Sequence, residues 1–124
     1  MYQLIAIAGG GAVGALLRFW VSRIVHAWTG TDFPYGTFVI NISGSLMMGF
    51  FFVLLAERTG VAPEWRAVIL VGFLGAFTTF STFSLEALTL MIGGEIATAM
   101  IYVVASVVLC IFAVWLGMWV GRQL

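Results

Sequence analysis

Hydroxyl side chains and glycines are concentrated in residues 72–84, in the middle of a stretch otherwise apolar enough to cross a membrane. The segment reads Gly-Phe-Leu-Gly-Ala-Phe-Thr-Thr-Phe-Ser-Thr-Phe-Ser. Irregular or polar backbone at membrane depth is tolerated only where it is buried in protein or lines a water-filled path. Interrupted hydrophobic segments are also a good sequence indication of an ion or substrate site. This segment is therefore the first candidate for chemistry.

A helix that ends near residues 75–78 and restarts near Thr79 would offer ligands for ions of both signs. The unpaired carbonyls of the first half, around Gly75 to Thr78, suit a small cation, which a two-fold dimer would share. The free N–H groups of the second half attract an anion, with Thr78 or Thr79 as the N-cap. The alternative is a glycine kink closed by hydrogen bonds from hydroxyls to the backbone.

Two phenylalanines follow the expected restart. Phe80 and Phe83 are i, i+3 neighbours and share a helix face, with Ser84 beside them. Because the edge of a phenylalanine ring is positive, two edges and a hydroxyl would coordinate a small anion without a full positive charge. Such a site would let the anion leave easily. Ordinary packing of the two rings is the alternative.

Two other apolar segments carry polar side chains at every fourth position, so each series lies on one helix face. The series are Thr37, Asn41 and Ser45 on the second segment, and Tyr102, Ser106 and Cys110 on the fourth. The Asn41 amide would either donate to an anion or form an interhelical hydrogen bond, and the sequence leaves both open. The second series is supporting evidence for a polar path.

A few isolated charged residues and two glycine pairs are further candidates for functional or packing roles. Arg18 would concentrate anions at a vestibule or extend to the lipid headgroups. Glu86 is the most deeply embedded acid, and the sequence assigns it no role. His26 is expected in a loop. The G-x-x-x-G pairs Gly10/Gly14 and Gly117/Gly121 predict close helix packing.

The composition of the chain indicates the class of protein to which these residues belong. The chain has 124 residues, of which 63% are hydrophobic and 8% charged. A soluble domain of this size cannot bury that much apolar surface. We therefore predict an all-α integral membrane protein: one domain over 1–124, with four transmembrane helices near 3–25, 35–56, 65–92 and 96–121, the third broken. The zero net charge excludes a nucleic-acid footprint. No nucleophile–base pair, metal-ligand cluster or phosphate loop indicates an enzyme.

The arginines give little information on orientation. Four spans place Arg58, Arg66 and Arg122 on one side of the membrane, and Arg18 and Arg23 on the other. Loop arginines normally decide how a membrane protein inserts. Insertion in both orientations, followed by pairing as an antiparallel dimer, is one hypothesis. A single, weakly biased topology is the other.

Together these motifs resemble the Fluc (CrcB-type) family of bacterial fluoride channels. The resemblance covers essentially the whole chain. It rests on residues 72–84, on Gly14-Ala-Leu-Leu-Arg18, and on Pro-Tyr-Gly-Thr-Phe-Val-Ile-Asn at 34–41 followed by Ser43-Gly44.

The resemblance implies a dual-topology, antiparallel homodimer in the lipid of the bacterial inner membrane, with two pores that export fluoride passively. Phe80 and Phe83 would be the pore phenylalanines and Asn41 the pore amide. The remaining implied roles are further polar pore ligands for Thr37, Ser84, Tyr102 and Ser106, a vestibule arginine for Arg18, and a structural Na⁺ on the backbone carbonyls of Gly75 and Thr78. Cys110 stands where some relatives are expected to have serine.

Two other functions compete with a channel. A proton antiporter like the small multidrug exporters would also have four short helices and form a dimer. That mechanism needs an acid in the first helix, and residues 4–17 contain none. A membrane assembly factor without transport activity would not need a hydroxyl-rich third segment.

Overall fold

Four long apolar helical stretches make up the protein. The computed structural model describes all residues 1–124, and every element in it is helical. The stretches long and apolar enough to cross a membrane are Tyr2–Thr29, Tyr35–Glu57, Pro63–Ile92 and Ile96–Gln123. The predicted all-α membrane architecture is confirmed to this extent. The first helix continues past its predicted end, so the expectation that His26 lies in a loop is wrong.

Two of the four stretches are not uniform α-helices. Helix α1 (Tyr2–Thr29) is continuous, whereas α2 (Tyr35–Phe52) widens into a π-helical segment, Val53–Glu57. The third stretch begins as α3 (Pro63–Arg66), widens into a second π-helical segment (Ala67–Leu74), and continues through α4 (Gly75–Phe77) to α5 (Phe80–Ile92). Helix α6 (Ile96–Gln123) is continuous. π-Helical turns often occur at functional sites.

Glycines bring the helix backbones into direct contact. A Cβ built on Gly10 or Gly14 of α1 would overlap the carbonyl of Val68 or Phe73 in the third stretch. A Cβ on Gly117 of α6 would likewise overlap the carbonyl of Leu46 in α2. Lipid gives no hydrophobic drive to bring helices together, so close approach at small residues stabilises the packing. The predicted packing role of the glycine pairs is confirmed.

Arginine side chains hold the helix ends together at one end of the bundle. Arg66 donates to the carbonyl of Leu55 (2.5 Å), and Arg58 donates to the carbonyl of Gly121 (3.2 Å). Arg122 pairs with Glu57 at 2.6 Å. Carbonyls at the end of a helix have no partner within the helix, and these guanidinium groups satisfy two of them.

Candidate functional site

The third stretch is interrupted at two threonines. Helix α4 ends at Phe77, and the backbone of Thr78 and Thr79 is extended, with ψ of 158° and 123°. Helix α5 then starts at Phe80, and the Thr79 hydroxyl caps it by accepting the N–H of Thr82 at 3.3 Å. The Thr78 hydroxyl donates back to the carbonyl of Leu74 at 3.0 Å. Hydroxyls therefore satisfy part of the backbone that the interruption leaves unpaired.

Asn41 ties the interruption to α2. Its Oδ1 accepts the N–H of Thr79, and its Nδ2 donates to the carbonyl of the same residue, both at 2.9 Å. Of the two uses that the sequence left open for this amide, the structure shows the interhelical bond. An amide nitrogen carries two hydrogens, so one N–H of Asn41 remains available for a further acceptor.

The carbonyls of Gly75 and Thr78 have lost their α-helical donors. In a continuous helix the N–H of Thr79 would bind the Gly75 carbonyl, and the N–H of Thr82 would bind that of Thr78. Here the first N–H binds Asn41 and the second binds the Thr79 hydroxyl. Gly75 lies on the exposed surface and Thr78 is half-buried. Both carbonyl oxygens are of the type that coordinates Na⁺ at broken membrane helices.

Phe80 and Phe83 are adjacent but sit in different surroundings. Their ring centroids are 5.5 Å apart. Phe83 is only 7% exposed and packs on the ring of Tyr102 at 5.1 Å, whereas Phe80 is 76% exposed. Next to them, the exposed Ser84 donates its hydroxyl hydrogen to the carbonyl of Phe80 at 2.9 Å. The Phe80 ring therefore has a free face that this chain does not cover.

A cavity of about 320 Å³ lies between the interruption, α2 and α6. Its wall includes Asn41, Phe80, Phe83 and Ser106, and it contains no charged side chain. Ser106 is 5% exposed, and its hydroxyl has no hydrogen-bond partner in the chain. A buried hydroxyl without a partner is costly. Ser106 therefore brings to the cavity wall a donor that is not used within the chain.

A second polar cluster lies next to this cavity. The buried Thr37 donates its hydroxyl hydrogen to the carboxylate of Glu86 at 2.5 Å. Tyr102 is completely buried, and its hydroxyl has no hydrogen-bond partner. Close by, Nε2 of His26 accepts the N–H of Gly36 in the first turn of α2, at 3.3 Å. No role for Glu86 follows from the sequence, because its partner Thr37 lies on a different helix.

The structure brings some of the predicted site residues together and leaves others apart. Asn41, Thr78, Phe80, Phe83 and Ser106 line one cavity. Thr37 and Tyr102 belong to the adjacent cluster around Glu86, whereas Gly75 and Ser84 lie on the exposed surface.

Arg18 is half-buried and does not line the cavity. The one ion pair in the chain joins Arg122 and Glu57, so Arg18 has no acidic partner.

The chain matches a known protein family over most of its length. The family model described as CrcB-like protein, Camphor Resistance (CrcB), matches residues 5–118, a range that contains every candidate site residue. The chain belongs to the CrcB family. It is a multi-pass membrane protein with four helices of membrane-spanning length.

Curated relatives in the CrcB family carry a functional name. A protein of Methylococcus capsulatus named fluoride-specific ion channel FluC is 56% identical over 122 residues, which is 98% of this chain but 54% of that relative. The FluC of Hydrogenovibrio crunogenus is 50% identical, over 98% of this chain and 92% of its own length. The FluC of Magnetococcus marinus is 48% identical over 97% of this chain and 98% of its own. The chain thus spans about half of the first relative and nearly all of the other two.

Proposed function

We propose that this CrcB-family protein is a fluoride-selective channel through which F⁻ leaves the bacterial cell passively across the inner membrane. The observation that carries the proposal is the uncharged cavity at the interrupted third stretch, where Asn41, Phe80, Phe83 and the unpartnered Ser106 hydroxyl meet. The names of the curated relatives support the choice of fluoride. The activity is transport and involves no catalysed reaction.

The cavity chemistry suits a small, strongly hydrated anion. Fluoride needs hydrogen-bond donors in place of its water shell. The free N–H of Asn41 and the hydroxyl of Ser106 are two such donors, and the positive edges of the phenylalanine rings add to them. No arginine, lysine or histidine lines the cavity. An anion held only by neutral donors binds weakly enough to leave, which fast conduction requires.

The polar cluster beside the cavity would extend this path. Tyr102 has a buried hydroxyl without a partner, and it packs directly on Phe83. Thr37 lies in the same cluster, where its donor is directed at Glu86. We assign Thr37, Tyr102 and Ser84 to polar positions along the path. Arg18, which lacks an acidic partner, would attract anions to its entrance.

A second copy of the chain would complete the site. At the middle of the third stretch, Phe80 is 76% exposed, and Gly75, Ser81, Thr82 and Ser84 are exposed as well. Hydroxyls and unpaired backbone at this depth are poorly matched to lipid. Small and polar residues are also those through which membrane helices associate. We infer that this face pairs with itself in a two-fold, antiparallel homodimer, in keeping with the weak arginine bias.

Such a dimer would create the proposed sodium site. One chain offers the carbonyls of Gly75 and Thr78, and its two-fold mate would bring the same pair to the same axis. Hard oxygen ligands without a carboxylate suit a monovalent cation such as Na⁺ better than a transition metal. The ion would hold the two interruptions together. It would take no part in moving fluoride.

Fluoride efflux from liposomes tests the proposed function. Purified protein is reconstituted with internal fluoride, and release is followed with a fluoride electrode, with internal chloride as the control. Fast fluoride release with little chloride release is expected. No fluoride release from a correctly folded protein would refute the channel. Proton-dependent dye export by the same vesicles would support the antiporter instead.

Topology and assembly are tested separately. Reporters fused to the C-terminus are expected to give signals from both sides of the membrane, together with a dimeric mass in detergent. A signal from one side only would refute dual topology.

Replacing Na⁺ by the bulky cation N-methylglucamine is expected to lower the thermal stability of the dimer. An unchanged melting curve would refute the sodium site.

A further inference from the structure

A series of aromatic rings runs from the cavity to the connection between α1 and α2. The Phe80 ring lies against Phe83, with centroids 5.5 Å apart, and Phe83 lies against Tyr102 at 5.1 Å. Tyr102 in turn lies against Phe33 at 5.3 Å, with the two ring planes at 85°. Phe33 belongs to residues 30–34, which join the first two membrane spans. The rings therefore link the middle of the third stretch with one end of the bundle.

Tyr102 has no contact with solvent, although its hydroxyl has no hydrogen-bond partner. It forms a buried cluster with Phe83 and Ala87, and further apolar side chains pack against that cluster. These side chains are Phe33, Phe38, Leu90 and Val103. Three of them belong to helices, whereas Phe33 lies in the connection and is half-buried. Phe33 is therefore the one member of this apolar cover that no helix backbone holds in place.

A tight turn holds the Phe33 ring over Tyr102. The N–H of Tyr35 donates to the carbonyl of Phe33 at 2.8 Å, and Pro34 between them has φ of −76° and ψ of 60°. These are the angles of an inverse γ-turn, and the proline ring fixes the first of them. The ring of Phe33 also lies against Phe38, at 5.7 Å with planes at 82°. Unlike the free ring of Phe80, Phe33 is thus engaged in edge-to-face contacts with two other rings.

We propose that Phe33 closes the outer end of the anion path and sets the rate at which an ion enters or leaves there. This role rests on the proposed function, in which Tyr102 is a polar position along the path. An apolar constriction excludes water and blocks a hydrated ion. An ion at Tyr102 therefore reaches the membrane surface when the Phe33 ring turns away. The donors that select the anion lie deeper, in the cavity at Asn41 and Ser106, so Phe33 governs the rate and not the choice of ion.

Closure by Phe33 is tested without any transport, through the solvent exposure of the tyrosines. The protein is prepared with 3-fluorotyrosine in detergent micelles, and each ¹⁹F chemical shift is compared in H₂O and D₂O. Of the three tyrosines, Tyr2 and Tyr35 are 85% and 40% exposed, whereas Tyr102 is buried. In the parent, the first two signals are expected to depend on the solvent and that of Tyr102 is not. The Tyr102 signal is identified by its loss in Tyr102→Phe.

Removing the ring is expected to expose the buried tyrosine. In Phe33→Ala, the Tyr102 signal should depend on the solvent as the Tyr35 signal does. Pro34→Ala keeps every ring and loosens the turn, so a smaller change in the same direction is expected. A Tyr102 signal that stays independent of the solvent in both variants would overturn the closure.

The matched control is another half-buried phenylalanine with an edge-to-face contact. Phe51 of α2 lies against Phe50 at 5.3 Å with planes at 78°, and it does not line the cavity. Phe51→Ala is expected to leave the Tyr102 signal as it is in the parent. An equal change in Phe51→Ala and Phe33→Ala would indicate general loosening of the bundle and overturn the assignment to Phe33.

Fluoride efflux from liposomes supplies the second measurement. Phe33→Ala is expected to release fluoride about tenfold faster than the parent, because the two aromatic contacts that hold the ring in place are lost. Chloride release should stay low, since the donors of the cavity are unchanged. Efflux no faster than that of the parent, or chloride release that rises in step with fluoride, would refute control of the rate by Phe33. Solvent exposure of Tyr102 in Phe33→Ala, in a protein that conducts no fluoride, would leave the closure intact and refute the proposed function instead.

Discussion

The α2–α6 contact and the interrupted third stretch use small and polar residues in opposite ways. Between α2 and α6, glycines remove side chains so that backbone meets backbone, and both helices keep their own hydrogen bonds. At the interruption, Asn41 and the Thr79 hydroxyl bind N–H groups that a continuous helix would use, so the carbonyls of Gly75 and Thr78 lose their α-helical donors. The first region makes the bundle rigid. The second, held against it, presents unpaired polar groups at membrane depth.

One helix serves both regions. Helix α2 contacts α6 through Gly49, and it holds the interruption through Asn41 two turns earlier. The close-packed region therefore fixes the position of the amide. The amide in turn holds the extended backbone that comes just before α5, the helix that carries Phe80 and Phe83.

Filling the close-packed region is expected to disturb the protein most. Gly117→Ala places a Cβ where the Leu46 carbonyl and the Phe50 nitrogen already lie. Because backbone cannot move aside cheaply, we expect a loss of about 3 kcal/mol or more, and little folded protein. The measurement is the yield of monodisperse protein by size-exclusion chromatography. Gly9→Ala is the matched control, since a Cβ there meets nothing within 4 Å. A well-folded Gly117→Ala variant would show that the α2–α6 contact is looser than described.

Changing the amide is expected to affect both regions. Asn41→Asp keeps an acceptor for the Thr79 N–H but sets an oxygen against the Thr79 carbonyl, where Nδ2 now donates. The unmet contact is expected to lower stability by about 1–3 kcal/mol, and the negative charge to suppress fluoride efflux. Thermal melting and liposome efflux measure the two effects. Ser43→Ala is the control, because that hydroxyl bonds only to carbonyls of its own helix. Efflux equal to that of the parent would exclude Asn41 from the path.

Changing the exposed ring separates function from folding. Phe80 is 76% exposed and contributes little to packing within the chain. Phe80→Ile removes the ring edge, and we expect efflux to fall about tenfold or more, as for a barrier raised by about 1.4 kcal/mol. The dimer should remain intact by size-exclusion chromatography. Phe112→Ile serves as the control, since Phe112 of α6 is also exposed, at 52%, and does not line the cavity. If both variants conduct like the parent, the ring edge has no role.

The smallest effect is expected at the exposed ion pair. Arg122 and Glu57 are 2.6 Å apart, with 54% and 35% of their side chains exposed. Surface ion pairs of this kind add little to stability. Glu57→Gln is therefore expected to change neither the melting temperature nor fluoride efflux measurably. A clear destabilisation would mean that the ends of the close-packed region depend on charge as well as on glycine contacts.

The membrane class, the four apolar helices and the segment most suited to chemistry could all be predicted from the sequence. Apolar length and composition decide whether a helix can cross a bilayer, and both are properties of a continuous stretch of chain. The glycine pairs were recognised for the same reason, because their spacing along one helix is what permits close packing. The hydroxyl-rich residues 72–84 were recognised because polar groups at that depth need an explanation.

The packing of the helices sets which polar groups are paired and which have no partner. Asn41 and Thr79, or Thr37 and Glu86, lie far apart along the chain, and only the packing of different helices brings them into contact. The same packing left the Ser106 hydroxyl and the Gly75 and Thr78 carbonyls without their ordinary partners. Sequence spacing places residues on a helix face, but the neighbouring helix decides whether a hydrogen bond there is made. The site is therefore a property of the bundle, whereas the membrane helices are a property of the sequence.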